Sequence, residues 1–229
     1  MKLLAIIPAR GASKSIKKKN IIDLNGNPLL SYTIRFCQKS KVIKNCYVST
    51  EDEEIKAVAQ KYKAAVIDRP HKYSMDNSTD YGFLSHFFSI IQCDEVALMR
   101  PTTPIRNLEF VEKAVKKYFD IKDDITGFRS VNEINETPYK VFKINKSGIC
   151  EGFFDNFNNI SDYSNLPRQS FPKTYKPNGH IDIVKKLTLE SGSIFGNRIY
   201  GFIGSRITDI DSIEDLEFAK YEISLKENK

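Results

Sequence analysis

Between Arg10 and Lys19 the chain places five basic residues, Arg10, Lys14, Lys17, Lys18 and Lys19, and no acidic one, interleaved with Gly11, Ala12, Ser13 and Ser15. Small residues let backbone N–H groups approach an anion and lysines neutralise it, so the window suits a compact polyanion such as a triphosphate. A solvated basic loop accounts for the same composition. The spacing is neither Gly-x-x-x-x-Gly-Lys-Ser/Thr nor Gly-x-Gly-x-x-Gly. Far along the chain, Thr208-Asp209-Ile210-Asp211 sets two carboxylates two residues apart. On a strand such residues share a face and can reach one hard cation, and magnesium commonly takes one or two carboxylates plus waters and phosphates. Ser212 and Asp215, however, have capping-box spacing, and for the acids alone a helix start is the commoner explanation. Lys176-Pro177-Asn178-Gly179 is a turn with a basic shoulder, and its Pro and Gly explain it fully as a turn. His71, His86 and His180 form no ligand spacing and are assigned no catalysis.

The elements that must hold these groups follow from hydrophobic patterning. Leu3 to Ile7 is a continuous apolar run, as in a strand buried on both faces of a parallel sheet, and the basic window follows it directly. Helical spacing of Leu29, Leu30, Ile34 and Cys37 predicts a helix over Pro28–Gln38. Cys46–Val48 is a short strand. Thr50 with Glu53 has capping-box spacing before a helix whose stripe is Ile55, Val58, Ala59 and Tyr62. Ala64–Ile67, Glu95–Met99 and Ile125–Val131 read as strands, and Tyr81–Ile91 and Leu108–Phe119 as helices. Strand–helix alternation argues for an α/β fold, a Rossmann-like mainly parallel sheet flanked by helices. The pattern breaks over 133–176, with Pro138, Pro167 and Pro172 and many Asn and Ser. That stretch reads as an inserted arm, leaving 1–132 and 177–229 as the catalytic part. Phe153, Phe154, Phe157 and Phe171 there suit a subunit contact or a satellite core. Strand character returns at Ile181–Val184 and Ile199–Ile203, and an amphipathic helix is expected over Ser212–Leu225.

The chain has 229 residues and a formal charge of +6; less the five charges of the basic window, +1 remains. Charge so concentrated argues against a nucleic-acid groove, and no aromatic stacking platform is evident. No apolar run approaches the ~20 residues of a membrane span. The opening Met1–Arg10 stretch reads as a strand, not a leader, because Pro8 and Arg10 interrupt it. Cys37, Cys46, Cys93 and Cys150 are widely spaced with no Cys-x-x-Cys pair, which disfavours zinc and disulfide scaffolds and suits reduced thiols in a cytoplasm.

Ile7-Pro8-Ala9-Arg10-Gly11-Ala12-Ser13-Lys14, followed by Lys19-Asn20-Ile21, resembles the opening of the CMP-N-acylneuraminate synthetases, cytidylyltransferases that activate sialic acid-like sugars. The resemblance continues through Asp68-Arg69-Pro70, Asp76-Asn77-Ser78-Thr79-Asp80 and Arg100-Pro101-Thr102-Thr103-Pro104-Ile105-Arg106. It resumes at Pro167-Arg168-Gln169-Ser170-Phe171-Pro172 and Tyr175–Gly179 and closes at Asp209-Ile210-Asp211. Six matches in the family's order span residue 3 to about 220. The resemblance implies a nucleotidyltransferase that takes CTP and Mg²⁺ and joins CMP to a nonulosonic acid, releasing pyrophosphate. It also implies a homodimer with Arg168 acting in trans.

By the same resemblance, Asp209 and Asp211 hold the metal, and Arg10, Lys14 and Lys19 stabilise charge on the triphosphate. Ala9, Arg10, Ser13, Asn20, Arg69 and Asp80 bind the nucleotide. Arg100, Thr102, Lys140, Arg168, Gln169, Lys176, Asn178 and Gly179 hold the sugar. Lys17-Lys18 stands where the family usually has Pro-Gly or a similar pair before Lys-Asn, and two further positions depart: Arg100 stands where relatives commonly have Gln, and Asp182 where they have an aromatic. Both are expected to face the sugar, and a mutual Arg100–Asp182 pair is an equal alternative. Two rival functions remain open. One is a cytidylyltransferase for the eight-carbon acid Kdo, whose Ser-Thr-Arg-Leu-Pro-Gly-Lys signature is missing here; the other is a non-catalytic nucleotide-binding module.

Overall fold

The structure, a computed structural model, describes residues 2–227; residues 1, 228 and 229, the outermost of the expected catalytic part, lie outside the described residues. Strand β1 (Leu3–Pro8) leads into the basic loop, which ends in a two-stranded turn of β2 (Asp23–Leu24) and β3 (Asn27–Pro28). Helix α1 (Leu29–Lys39), β4 (Ile43–Thr50), α2 (Glu53–Lys61), β5 (Ala65–Asp68), α3 (Asp80–Ile90), β6 (Glu95–Leu98), α4 (Leu108–Ile121) and β7 (Gly127–Ile134) follow. A hairpin of β8 (Phe142–Ile144) and β9 (Cys150–Gly152) lies between β7 and the long β10 (Thr174–Lys185). The chain then runs through α5 (Lys186–Glu190), β11 (Ile199–Ile203) and α6 (Ile213–Glu227).

Seven strands form one sheet in the order β11-β7-β10-β6-β1-β4-β5. All neighbours are parallel except β10, which is antiparallel to both β6 and β7. The first strand explains why the chain must fold this way. Leu3, Ala5 and Ile7 pack into one hydrophobic core, whereas Ile6 packs into another with Phe83, Leu84 and Phe87 of α3. Both faces of β1 are therefore covered, and a continuous apolar run is required. The chain leaves β1 toward β4 on one side and returns through β6 on the other. The crevice beyond the carboxyl ends of β1 and β6 is thus a topological switch point, where open α/β sheets bind ligands.

A third, smaller core joins distant parts of the sequence. Ile16 from the basic loop and Ile210 from between the two aspartates are both buried in it with Leu24, Leu29, Leu216, Ala219 and Ile223. Burying side chains of this size stabilises by roughly 1.5–3 kcal/mol each, enough to fix both segments against α6.

Local details differ from the sequence expectation in three places. The cap of α2 is Asp52, whose carboxylate accepts from Ile55 N at 3.0 Å, while Thr50 Oγ1 accepts from Asp52 N at 3.1 Å. Asp209 and Asp211 stand on an extended connection after β11, not on a strand. The arm boundaries at 133 and 176 fall inside β7 and β10, because these strands pair from Thr174 opposite Ile134 to Pro177 opposite Val131. Within the arm, Tyr139 stacks on Phe171 at 5.1 Å and on Phe154 at 4.6 Å and meets Phe157 at 4.8 Å. Phe171 is buried in this satellite core, whereas Phe153 and Phe154 remain exposed.

Candidate active site

A cleft of about 430 Å³ opens at the switch point, lined by Arg10, Ser13, Lys14, Lys19 and Asn20 after β1, by Arg69 after β5, by Asp76 and Asp80 before and at the start of α3, and by Arg100 and Thr102 after β6. The loop after β1 is held from beneath. Asn20, buried, donates its side-chain amide to Arg10 O at 2.9 Å, and Gly11 N donates to Glu51 Oε1 at 2.8 Å. Gly11 leaves no room for a side chain, since a Cβ there would lie 2.4 Å from Asp52 Oδ2. Asp76 partners two of the cations: Lys14 Nζ lies 3.0 Å from its Oδ2, and Arg10 Nη1 lies 3.5 Å from its Oδ1. An incoming polyanion would replace one carboxylate with several phosphate oxygens.

Lys19 links the head of the chain to its tail. Its ammonium donates to Asp211 Oδ1 at 2.8 Å and to Ile210 O at 3.1 Å. The lysine side chain is 13% exposed and the aspartate 75%, so the acid faces open space while the cation is sheltered. Ile210 N donates in turn to Thr102 O at 2.8 Å, fastening the aspartate segment to the cleft wall. The capping box also exists: Asp215 Oδ2 accepts from Ser212 N at 2.9 Å, and Ser212 Oγ accepts from Asp215 N at 3.2 Å. Because Asp215 supplies the carboxylate of the cap, Asp209 and Asp211 are left exposed, and the two explanations of this segment are compatible. Among the described residues no cluster of three or more His, Cys, Asp or Glu forms a metal site. The available donor set is therefore two hard carboxylates beside a polyanion cleft, a set suited to a cation that takes its other ligands from phosphate and water.

Arg69 is buried with its guanidinium on Ser49: Nε donates to Oγ at 3.0 Å and Nη2 to the carbonyl at 2.6 Å. Burial pulls its pKa down to about 10, against the opposing fields of Glu51 and Asp80. Arg100 pairs with Asp80, and Asp182 with Arg129, which donates Nε to Oδ1 at 3.2 Å and Nη2 to Oδ2 at 3.0 Å. The direct Arg100–Asp182 pair is thus replaced by two separate pairs. Burial lowers the Arg100 pKa, but Asp80, with Asp182 and Asp209 behind it, outweighs that and raises it. Asp182 is raised by burial, and Arg129 only partly offsets the effect.

The expected site residues divide into groups. Arg10, Ser13, Lys14, Lys19, Asn20, Arg69, Asp80, Arg100 and Thr102 meet at the cleft, with Asp209 and Asp211 at its edge. Ala9 is fully buried, and its N–H is already donated to Ser49 O at 3.0 Å. Asn178 is also buried: its amide donates to Ser205 O at 3.1 Å and its Oδ1 accepts from His180 N at 3.3 Å. The segment Lys176–Gly179, expected as a turn, lies inside β10 at a register irregularity between Pro177 and Asp182; Gly179 there has φ +77°, and a Cβ would meet Thr103 Cγ2 at 2.5 Å, in close contact with the Arg100–Arg106 segment. Lys176 is exposed on β10, away from the cleft lining. Arg168 and Gln169 line a separate cavity in the arm, where Arg168 Nη2 donates to Asn135 Oδ1 at 2.9 Å. Lys140 lies on the arm over the Phe171 ring.

Arg106 carries a role the sequence did not disclose, although it closes a motif already noted. Its buried guanidinium donates to His180 O at 3.0 Å, Thr33 Oγ1 at 2.8 Å, Thr103 Oγ1 at 2.6 Å and Arg100 O. Asp76 and Glu51 were likewise unassigned; no spacing rule announces a carboxylate that neutralises a loop 40 or more residues away.

A switch-point cleft lined by cations in a mainly parallel sheet is the architecture of a nucleotide-binding type of α/β protein. A family profile described as cytidylyltransferase matches residues 4–148. The chain is 32% identical over 229 residues to pseudaminic acid cytidylyltransferase of Campylobacter jejuni, covering 96% of this chain and 95% of the relative. It is 31% identical over 219 residues to N-acylneuraminate cytidylyltransferase of Escherichia coli O18:K1:H7, covering 95% of this chain but only 50% of that longer relative. In fold it matches CMP:2-keto-3-deoxy-manno-octonic acid synthetase complexed with CTP, with a TM-score of 0.73 and 16% identity, over 99% of this chain and 100% of that one. The chain belongs to the cytidylyltransferase family.

Proposed function

We propose that this protein transfers CMP from CTP to the anomeric C2 hydroxyl of a sialic acid-like nonulosonic acid and releases pyrophosphate. The observation that carries this reading is the Lys19–Asp211 contact, supported by Ile16 and Ile210 in one core: the basic loop and the aspartate segment meet at the edge of the cleft. Such a transfer needs positioning and charge neutralisation more than covalent help from the protein.

Arg10, Lys14 and Lys19 bind the triphosphate and stabilise the charge that develops on the leaving pyrophosphate. Asn20 and Arg69, both buried and rigidly bonded, orient the cytidine from the cleft floor, with Ser13 and Asp80 beside it. At Ala9 only the carbonyl side of the backbone remains for such a role, since the N–H is engaged. Asp209 and Asp211 would hold Mg²⁺, which when bound neutralises phosphate charge and lowers the pKa of a ligated hydroxyl. Arg100 and Thr102, with Lys176, Asn178 and Gly179 on β10, serve the acceptor side.

Arg168, Gln169 and Lys140 project from the arm at 133–176, and we assign them to the site of a second copy in a homodimer. None of the three lines this chain's own cleft, and that supports the assignment. A cytoplasmic location accords with Cys37, Cys46, Cys93 and Cys150 all being free thiols. No helix among the described residues is long and apolar enough to cross a membrane.

The deciding experiment incubates the protein with CTP, Mg²⁺ and a panel of sialic, legionaminic, pseudaminic and Kdo-type acids and reads CMP-sugar by mass spectrometry. A nonulosonic acid product supports the reading; product from the eight-carbon acid alone overturns the acceptor, and no pyrophosphate from any pair leaves a nucleotide-binding module. For the trans assignment, Arg168→Ala and Asp211→Asn, each inactive, are mixed after partial unfolding. Recovery of activity toward a quarter of wild type marks sites built from two chains, and no recovery rejects it.

A further inference from the structure

The strap between β5 and α3 lines the cleft with Met75, Asp76, Ser78 and Thr79, and it meets the basic loop through that loop's cations. Arg10 Nη1 donates to Met75 O at 3.2 Å and lies 3.5 Å from Asp76 Oδ1, and Lys14 Nζ lies 3.0 Å from Asp76 Oδ2. One carboxylate thus occupies two of the three cations assigned above to phosphate. A bridge fixes the two segments to each other: Glu51 accepts from Gly11 N at 2.8 Å with Oε1 and from Ser74 Oγ at 2.6 Å with Oε2. Ser74 is buried, whereas the Asp76 side chain, two residues on, is 51% exposed. The anchor sits at Ser74, and the acid lies at the open end beyond it.

That placement has two physical consequences. The Lys14–Asp76 pair is solvated on both sides and adds little to stability, so phosphate oxygens displace the carboxylate at small cost. Tethered beside the Glu51 bridge, the acid also keeps a high effective concentration at the cations and returns when the anion leaves. Any polyanion on Arg10 and Lys14 therefore competes with an internal carboxylate. CTP recovers that loss from the contacts of its nucleoside, but pyrophosphate has no nucleoside and does not. Flanked by two cations, Asp76 is a poor seat for a metal ion. A metal ligand, or an acceptor for a substrate hydroxyl, would strengthen binding, so the sign of the Asp76 effect on affinity separates the roles.

We propose that Asp76 is a tethered counter-ion that competes with polyphosphate for Arg10 and Lys14 and so speeds the departure of pyrophosphate from the basic loop. The proposal rests on the function inferred above, and it gives Asp76 a part in product release, with Glu51 as the residue that positions its strap.

The test is calorimetric titration of wild type, Asp76→Asn and Asp76→Ala with pyrophosphate and, separately, with CTP, each with Mg²⁺ and no acceptor. Asp76 is half exposed, so both variants fold, and Asp76→Ala also removes the oxygens that an amide would leave near Lys14. The expected result is a Kd for pyrophosphate and for CTP lower by at least about threefold in both variants, the scale of one exposed ion pair. The gain should shrink in about 1 M salt, where the screening length is ~3 Å. In turnover, added pyrophosphate should inhibit Asp76→Ala more strongly than wild type. An unchanged or higher Kd in Asp76→Ala overturns the proposal and leaves the functional reading standing. If wild type binds neither CTP nor pyrophosphate, the functional reading fails and the proposal falls with it.

Discussion

Replacing Arg106 with Met tests whether the cleft is held from behind by one buried cation. The guanidinium makes four donations, to His180 O on β10, Thr33 Oγ1 on α1, and Thr103 Oγ1 and Arg100 O in the cleft wall. Hydrogen bonds from a charged group contribute about 1.5–3 kcal/mol each, so the gross interaction approaches 10 kcal/mol. Opposing it is desolvation, which outweighs the fields of Cys37, Asp209 and Asp182 and pulls the Arg106 pKa down to about 10. Met fills most of the volume and removes the charge, but it takes a donor away from two backbone carbonyls and two threonine hydroxyls. Breaking a buried charged network by removing one partner typically costs about 3–5 kcal/mol, and that is the expected loss of stability. In urea-induced unfolding followed by circular dichroism, the midpoint should fall with an unchanged slope. A thermal midpoint lower by about 10 °C should accompany it, given about 2–4 °C per kcal/mol for a chain of this size. Arg106→Lys should recover less than half, since an ammonium cannot span a planar set of acceptors. A loss below 1 kcal/mol for the Met variant would show that the wall is held by packing alone.

Asp211→Asn and Asp209→Asn should each lower kcat with CTP and a genuine acceptor by at least ~100-fold while leaving the urea midpoint unchanged, because both side chains are exposed; near-normal pyrophosphate release by either refutes the metal assignment. Ile210→Ala empties a fully buried position in the core shared with Ile16, so a stability loss of about 2–4 kcal/mol and weaker CTP binding by calorimetry are expected together. Gly179→Ala places a methyl 2.5 Å from Thr103 Cγ2 at φ +77°, and an unfolding free energy lower by about 1–3 kcal/mol is expected. His180 is fully buried on Phe110, and burial presses its pKa down to about 4 from its ordinary value near 6.5. Between those values the unfolded chain binds the proton and the folded one does not, so stability falls as pH drops from 6.5 to 4, by up to about 3 kcal/mol. His180→Phe should flatten that part of the stability–pH curve; an unchanged slope removes His180 as its source.

How much of this was legible in the sequence depended on the range of the interaction. The run Leu3–Ile7 announced a doubly covered strand, and Leu29, Leu30, Ile34 and Cys37 announced a helix face, because both signals are local periods. The antiparallel insertion of β10 between β6 and β7 was not legible. Ile181 and Ile183 are buried on one face and Asp182 on the other, and nothing in such a run states its direction. Pairing of charges failed for the same reason. Arg100 and Asp182 were each credible partners by type, but Arg129 lies opposite Asp182 across the β7–β10 register and reaches it first, which leaves Arg100 to Asp80 at the start of α3.

The acid pair shows most clearly what a one-dimensional reading omits. In one dimension, two carboxylates beside a capping sequence present a choice between a cap and a cation site, because each role asks for the same atoms. The fold removes the conflict by giving the cap to Asp215 and burying Ile210, the residue between the aspartates, in the core that also takes Ile16. One isoleucine on each segment therefore does what neither charge pattern could specify: it sets the basic loop and the acids at a fixed distance before any ligand arrives. Coulomb attraction between Lys19 and Asp211 alone, with the acid 75% exposed, contributes at most about 1 kcal/mol and could not hold that geometry. Apolar burial, and not the ion pair, is what positions these charges.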